Sequence, residues 1–252
     1  MDKVHFSTRT NQFAYFDAVL GHPQWPGRRI LDFGGNIGNF LVGVNGHVRH
    51  EDYWCMEVHP EVVERGRRKF PRAHFVHFNR YSSEFNPEGI RNLPIPDDGE
   101  RFDVILAFSV FTHMDRTEML ELTASLRALL APGGAFAFTF CDPRYDRSLS
   151  SPQLPPGSDV RKSLGFSKAK NIDALVEKAM QADYCVVIGD QLLVDPGDEV
   201  SHQKREGRPW ESYCAYYTTD FIRSLFPGCE IHQPVKPAWQ HCCVIRETVV
   251  RA

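Results

Sequence analysis

Apolar residues along this chain fall into short runs, set apart by glycine, proline and charged breaks. The runs at 29–33, 53–58, 74–78, 102–108 and 135–140 are rich in Ile, Val, Phe and Cys, which predicts buried β-strands. Between them the spacing becomes helical. Phe13, Ala14, Phe16 and Val19 give a partial helical stripe near the start. A second helix opens at Pro60, a favoured first helical position, and stops before Pro71. Asp115 and Glu118 form a capping-box signature ahead of Met119, Leu122, Leu126, Leu129 and Leu130. That helix is expected to end in the Pro132-Gly133-Gly134 break. Strands alternating with helices predict a parallel sheet built from βαβ units.

The pattern changes from 142 to about 213. The stretch 148–158 is rich in Ser and Pro and reads as loop, and 171–181 is helical. Runs at 184–188 and 191–195 flank Gly189-Asp190, a two-residue hairpin turn; 196–208 is a polar loop. The alternation then resumes with a strand at 214–217, a helix at 220–226, and strands near Ile231 and at 241–246. The chain therefore reads as a single domain over 1–252, with a helical leader at 1–27 and an insertion at 142–213 that caps the ligand edge as a lid.

Composition adds limits rather than identity. The chain has 252 residues, 42% of them hydrophobic and 24% charged, with a net charge of −3. Such a mixed, slightly acidic balance argues against a nucleic-acid partner, which calls for a basic stripe. Its seven cysteines form no Cys-x-x-Cys pair and sit mostly in apolar runs, as reduced thiols do in a cytoplasmic protein. No run is long enough to span a bilayer, so no membrane partner is expected. The oligomeric state is not encoded in any pattern we recognise.

The most informative segment is Ile30-Leu31-Asp32-Phe33-Gly34-Gly35-Asn36-Ile37-Gly38-Asn39-Phe40. Glycines at a strand end let the backbone turn and let a ligand approach the main chain. A dinucleotide fingerprint needs Gly-x-Gly-x-x-Gly, and here Asn36 and Asn39 occupy its second and third glycine positions; a P-loop ending is also absent. What remains, Asp-x-Gly-x-Asn-x-Gly, resembles motif I of the class I S-adenosylmethionine (SAM) dependent methyltransferases. Asn36 replaces that motif's middle glycine, a change the turn accepts because Asn tolerates the left-handed region. Glu57 follows Gly38 by about 20 residues, the spacing of an acid on a ribose diol. The run Ser109-Val110-Phe111-Thr112-His113 and the Pro132-Gly133-Gly134 break also resemble the family.

The resemblance implies a Rossmann-like, doubly wound, seven-stranded α/β sheet, mostly parallel with an antiparallel last strand. It implies SAM as cofactor and S-adenosylhomocysteine as its product. The cofactor would lie against Asp32, Gly34, Gly35, Asn36, Gly38, Glu57 and Val58, with Asn79, Arg80, Phe108 and Ser109 from the next strand ends. A small-molecule methyl acceptor is the expected partner, methylated on O, N or C. His113 and Asp142, at the ends of strands four and five, are the candidate bases. Aromatic residues Phe13, Phe16, Tyr81, Phe111, Trp210, Tyr213 and Tyr217 are candidates for a wall around an apolar acceptor and the sulfonium. No metal is expected, since strand four ends in Phe108-Ser109 rather than in oxygen ligands. Two further readings share these residues: a SAM-dependent cyclase or rearrangement enzyme, and a non-catalytic protein on the same fold.

Overall fold

The computed structural model describes residues 11–82, 85–145, 156–166, 169–196, 213–234 and 240–247. Helix α1 (Gln12–Val19) precedes β1 (Ile30–Phe33), β2 (Tyr53–Glu57), α2 (Pro60–Lys69) and β3 (His74–His77). Then come β4 (Phe102–Ala107), α3 (Arg116–Ala128) and β5 (Leu130–Phe140). After α4 (Ser158–Phe166) and α5 (Ile172–Gln181) follow β6 (Tyr184–Ile188), β7 (Gln191–Val194) and β8 (Tyr213–Tyr217). The last elements are α6 (Thr219–Leu225), β9 (Glu230–His232) and β10 (His241–Arg246).

Seven strands form the main sheet in the order β3-β2-β1-β4-β5-β10-β9. β1 pairs in parallel with β2 and β4, whereas β10 runs antiparallel to β5 and β9. Both faces are buried, as continuous apolar strands require. Val104, Leu106, Ala135, Ala137, Cys242 and Val244 face α1 and the segment after β1. Ile105, Phe136, Phe138, Cys243 and Ile245 face the opposite way, onto α3 and α6. The period of two in the sequence thus sorts alternate residues into two cores. The expected seven-stranded fold is the observed one.

Two local readings need correction, and the segment after the glycine loop is short of α-helix. The chain instead makes two 3₁₀ turns, Phe40–Gly43 and His50–Asp52. The cause is local: Asn36, Gly38, Asn45 and Gly46 all have positive φ, which interrupts right-handed helical geometry. α3 ends at Ala128, and Leu130 already pairs with Phe102 before the register shifts to Val104 opposite Ala135. The proline–glycine break is therefore an irregularity within β5. The second is that β8 does not rejoin the main sheet; α4 forms in a stretch to which no element was assigned.

β8 pairs with β6 in a separate antiparallel sheet, ordered β7-β6-β8. One face of this small sheet, through Tyr184, Val186, Tyr213, Ala215 and Tyr217, joins the main core. Its other face, through Cys185, Val187 and Tyr216, packs on Val160 and Leu164 of α4 and Val176 and Ala179 of α5. Two contacts fix it to the main sheet's edge. The Tyr217 amide donates to the Cys141 carbonyl at 2.8 Å, and the Tyr217 hydroxyl donates to the Met114 carbonyl at 2.8 Å.

Candidate active site

The glycine loop leaves β1 with Gly34 at φ 71°, Asn36 at φ 55° and Gly38 at φ 81°. Asn36 thus adopts the left-handed conformation that its place in the motif requires, and its side-chain oxygen accepts from the Ile37 amide at 2.8 Å. Gly35 has no room for a side chain: a Cβ there would stand 2.5 Å from the Asp32 carboxyl and 2.9 Å from Cys55 Sγ. At Gly34 a Cβ would stand 2.6 Å from a Val110 methyl. Glycine is demanded on both counts, by conformation and by close approach.

Two acids sit under and beside this loop. Asp32 is 1% exposed; its Oδ2 accepts from the Tyr53 hydroxyl at 2.6 Å, while its Oδ1 has no partner. Burial pushes its carboxyl up to about 7, against the Tyr53 hydrogen bond and with some help from Glu57. Glu57 closes β2. Its Oε2 accepts from the Asn36 amide at 3.1 Å, and its Oε1 accepts from Val58 and His59 amides at 2.7 and 3.2 Å. Burial raises its pKa, with the three amides opposing. Four acceptor positions on a carboxylate and three donors leave capacity for a ligand hydroxyl. Val58 is half-buried beside it.

At the next strand end the structure separates two expected neighbours. Asn79 is half-buried, and its side-chain oxygen accepts from Asn86 at 3.0 Å. Arg80 is instead a buried brace. Its guanidinium donates to the Leu93 carbonyl at 2.7 Å and to Glu121 at 3.1 and 2.8 Å, and pairs with Glu118 at 3.5 Å. It joins the loop after β3 to α3 and has no free face for a cofactor.

The β4–β5 edge carries a polar network. Ser109, at φ 58°, donates its amide to Thr139 Oγ1 at 2.7 Å. Thr139 donates to Gln240 Oε1 at 2.5 Å, and Gln240 Nε2 donates to Ser109 Oγ at 3.0 Å. The Tyr15 hydroxyl reaches the Gln240 carbonyl at 3.3 Å. Phe108 lies edge-on to Tyr15 and Phe16, with centroids 5.7 and 6.1 Å away. Thr139 and Gln240 escaped the sequence reading, although a lone hydroxyl in the run Ala135–Phe140 was a visible signal.

The two candidate bases differ in burial, His113 being half-buried and Asp142 buried. His113 ends a 3₁₀ turn after β4, half-buried, with its ring edge-to-face against exposed Phe85 at 5.1 Å. Asp142 spends both oxygens on structure. Oδ2 accepts from the Thr219 amide and hydroxyl at 2.9 and 3.0 Å, and Oδ1 accepts from the Arg144 amide at 2.8 Å. It holds the start of α6 to the end of β5. Beside it His241, opposite Phe140, is 3% exposed. The imidazole stacks on Phe140 at 5.3 Å and meets the edge of Tyr145 at 4.9 Å, and its Nδ1 has no partner. Burial lowers its pKa to about 4, opposed by Asp142.

The expected aromatic wall is mostly core. Phe13 packs on Trp25 and Phe40, Phe16 is fully buried, and Phe111 packs on Phe136 and Phe138. Tyr213 is 2% exposed, and Tyr217 stacks on Tyr184 at 4.9 Å. Only Tyr81 stays at the rim, under the Arg91 guanidinium at 4.6 Å. Trp210 lies outside the described residues. Among the described residues, no three His, Cys, Asp or Glu come together in a way that would hold a metal ion. No helix among them is long and apolar enough to cross a membrane.

A doubly wound sheet with a glycine loop after its first strand, an acid closing the second and an antiparallel last strand defines a nucleotide-cofactor α/β class. Residues 31–136 match the methyltransferase domain family. The ubiquinone/menaquinone biosynthesis C-methyltransferase UbiE of Vibrio parahaemolyticus is 28% identical over 210 residues, covering 81% of this chain and 72% of that protein. Among solved structures, SAM-bound CalS10, an amino pentose methyltransferase from Micromonospora echinaspora, superposes with a TM-score of 0.52 at 14% identity, covering 98% of this chain and all of that one. DesVI of Streptomyces venezuelae gives 0.51 at 12% identity, over 96% and 94% of the two chains. These similarities support a class I SAM-dependent methyltransferase, with the methyltransferase domain over residues 31–136 and SAM as its cofactor.

Proposed function

We propose that this enzyme methylates a ring carbon of a small, hydroxyl-bearing aromatic molecule. The observation that carries the substrate class is the similarity, over 81% of the chain, to a C-methyltransferase of quinone biosynthesis. The exposed rim is compatible with a flat ring, for Phe85 and Tyr81 stand beside His113 and Arg91. The fold of the loop suits the cofactor: Gly34, Gly35, Asn36 and Gly38 would hold its amino-acid part, and Glu57 its ribose hydroxyls. Val58 and Asn79 would border the base, and Phe108 and Ser109 the sulfonium end. SAM supplies an electrophilic methyl group with a good leaving group.

The chain's own work is alignment and proton removal. The Ser109–Thr139–Gln240 network fixes the β4 end, where the methyl group would arrive. His113, at the adjacent rim, would take the acceptor's hydroxyl proton, which raises the electron density of the neighbouring ring carbon. The small sheet and helices α4 and α5 would cover this edge as a lid and exclude water.

The test uses 1,4-dihydroxynaphthalene with SAM. One methyl group should appear on a ring carbon, located by NMR, with S-adenosylhomocysteine formed in equal amount. A product methylated on oxygen would overturn the carbon assignment, and absence of any product would overturn the substrate class. With that acceptor, His113→Ala should lower kcat by roughly 10²–10⁴-fold while SAM affinity stays unchanged.

A further inference from the structure

None of the seven cysteines is in a disulfide, and four of them meet in pairs. Cys141 and Cys214 are hydrogen-bonded at the junction of β5 and the small sheet. Cys229 and Cys243 pack in one core cluster at the far edge of the main sheet, beyond β5 from the glycine loop. The second pair has the chemistry of a reactive dithiol. Cys229 lies just before β9, two residues ahead of Ile231, the residue opposite Cys243. Residues two apart share a face of a strand, so both thiols belong to the same side of the sheet. Cys243 is fully buried; Cys229 is half-exposed.

Cys229 and Cys214 are the two half-buried thiols, and a nearby cavity sets Cys229 apart. Residues 225–228, which lead into it, line a cavity of about 230 Å³ together with 245–247 and Arg127. The Cys243 thiol hydrogen bond lowers the Cys229 pKa to about 7; burial opposes this, Arg223 of α6 assists, and Glu230 of β9 opposes. Cys243 shifts the other way, held in its thiol form chiefly by the same bond. One sulfur is therefore poised as a thiolate and its neighbour as the proton-bearing partner.

We propose that Cys229 and Cys243 form a peroxide-oxidisable dithiol, a modification site separate from the cofactor edge. The Cys229 thiolate attacks one oxygen of hydrogen peroxide; the S–O bond forms, the O–O bond breaks, and hydroxide leaves as water after protonation. Cys243 sulfur then attacks the sulfenic sulfur of Cys229, losing its proton and expelling the second oxygen as water. Two thiols and one peroxide thus give one disulfide and two waters. The new bond ties the α6–β9 turn to β10.

The full-length reduced protein, treated with a small excess of hydrogen peroxide, should lose about 2 Da in intact mass and regain it with dithiothreitol. Peptide mapping should join the peptides that contain Cys229 and Cys243. Cys229→Ser should abolish the mass loss, and Cys243→Ala should leave a sulfenic acid at Cys229 that dimedone traps. Alkylation of Cys229 by iodoacetamide should be half-maximal near pH 7 and move upward in Cys243→Ala and in the milder Cys243→Ser. A disulfide mapped to Cys141 and Cys214 instead, no mass loss, or an alkylation profile that neither Cys243 variant moves would each overturn the proposal.

Discussion

Replacing Asp32 by Asn should reverse the way the ligand-free enzyme's stability responds to mild acid. Asn keeps an oxygen for the Tyr53 hydroxyl, which bonds Asp32 at 2.6 Å, and occupies the same space beneath Gly35. What it removes is a titration. In the folded chain burial holds the Asp32 carboxyl protonated up to about 7, whereas the unfolded chain releases that proton near 3.8. The native state therefore binds more protons between these values. The stability this contributes is complete below the unfolded value and is lost as pH rises through the folded one. At about 1.4 kcal/mol per unit the term approaches about 4 kcal/mol.

His241 titrates with the opposite sign in the same window. Burial lowers it from 6.5 to about 4, so its contribution is present above 6.5 and lost as pH falls through 4, for about 3 kcal/mol. In the wild-type protein these two slopes largely offset. Asp32→Asn leaves the His241 slope unopposed, so the variant's stability should climb steeply from about pH 4 to 6.5 relative to wild type. His241→Phe keeps the stack on Phe140 and should show the reverse. Urea unfolding followed by tryptophan fluorescence, at several pH values, supplies the comparison. Every other group titrates in both proteins, so the difference isolates Asp32. Parallel curves for wild type and Asp32→Asn would refute the claim that this acid is buried and proton-bearing.

Two more outcomes follow from the same edge. Gly34→Val places a β-branched residue at φ 71° with its Cβ 2.6 Å from a Val110 methyl, so SAM binding measured by calorimetry should be lost; unchanged affinity would remove the loop from the cofactor site. Turnover should survive EDTA without added Mg²⁺, because the described residues offer no cluster of three ligating groups and Ser109 is already engaged with Thr139 and Gln240; activity lost to chelation and restored by Mg²⁺ would show ligands elsewhere in the chain.

How much of this was legible beforehand follows the range of the forces involved. Strands β1 to β5 and helix α3 were readable because their signals are local: a period of two, a period near 3.6, and an Asp115 cap that does accept from the Glu118 amide at 2.8 Å. The segment after the glycine loop, with apolar Phe40, Leu41 and Val44, carries no cap or period that assigns it an element. Their burial is real, but Asn45 and Gly46 at positive φ confine them to a 3₁₀ turn. β8, by contrast, misled. Its alternation fits any sheet, and what assigns it to β6 is the stacking of Tyr217 on Tyr184 and the bond to Cys141, both distant in sequence.

The site divides along the same line. A ligand edge in a parallel sheet is formed by strand ends, so inspecting the last residues of β1, β2 and β4 finds Asp32, Glu57 and Ser109. β10 runs the other way, and an antiparallel strand brings its first residues to that edge instead. Gln240 and His241 therefore stand beside Thr139 and Phe140, although nothing adjacent in sequence marks them. Arg80 fails in the converse sense. It sits at a strand end, yet Glu118 and Glu121 from α3 draw its guanidinium away, because a buried cation is stable only where carboxylates meet it. The proposed cofactor side is thus written in contiguous motifs whose spacing the backbone dictates. The proposed acceptor side depends on strand direction, on the inserted sheet and on which rings the core absorbs, so it takes shape only when distant segments are packed together.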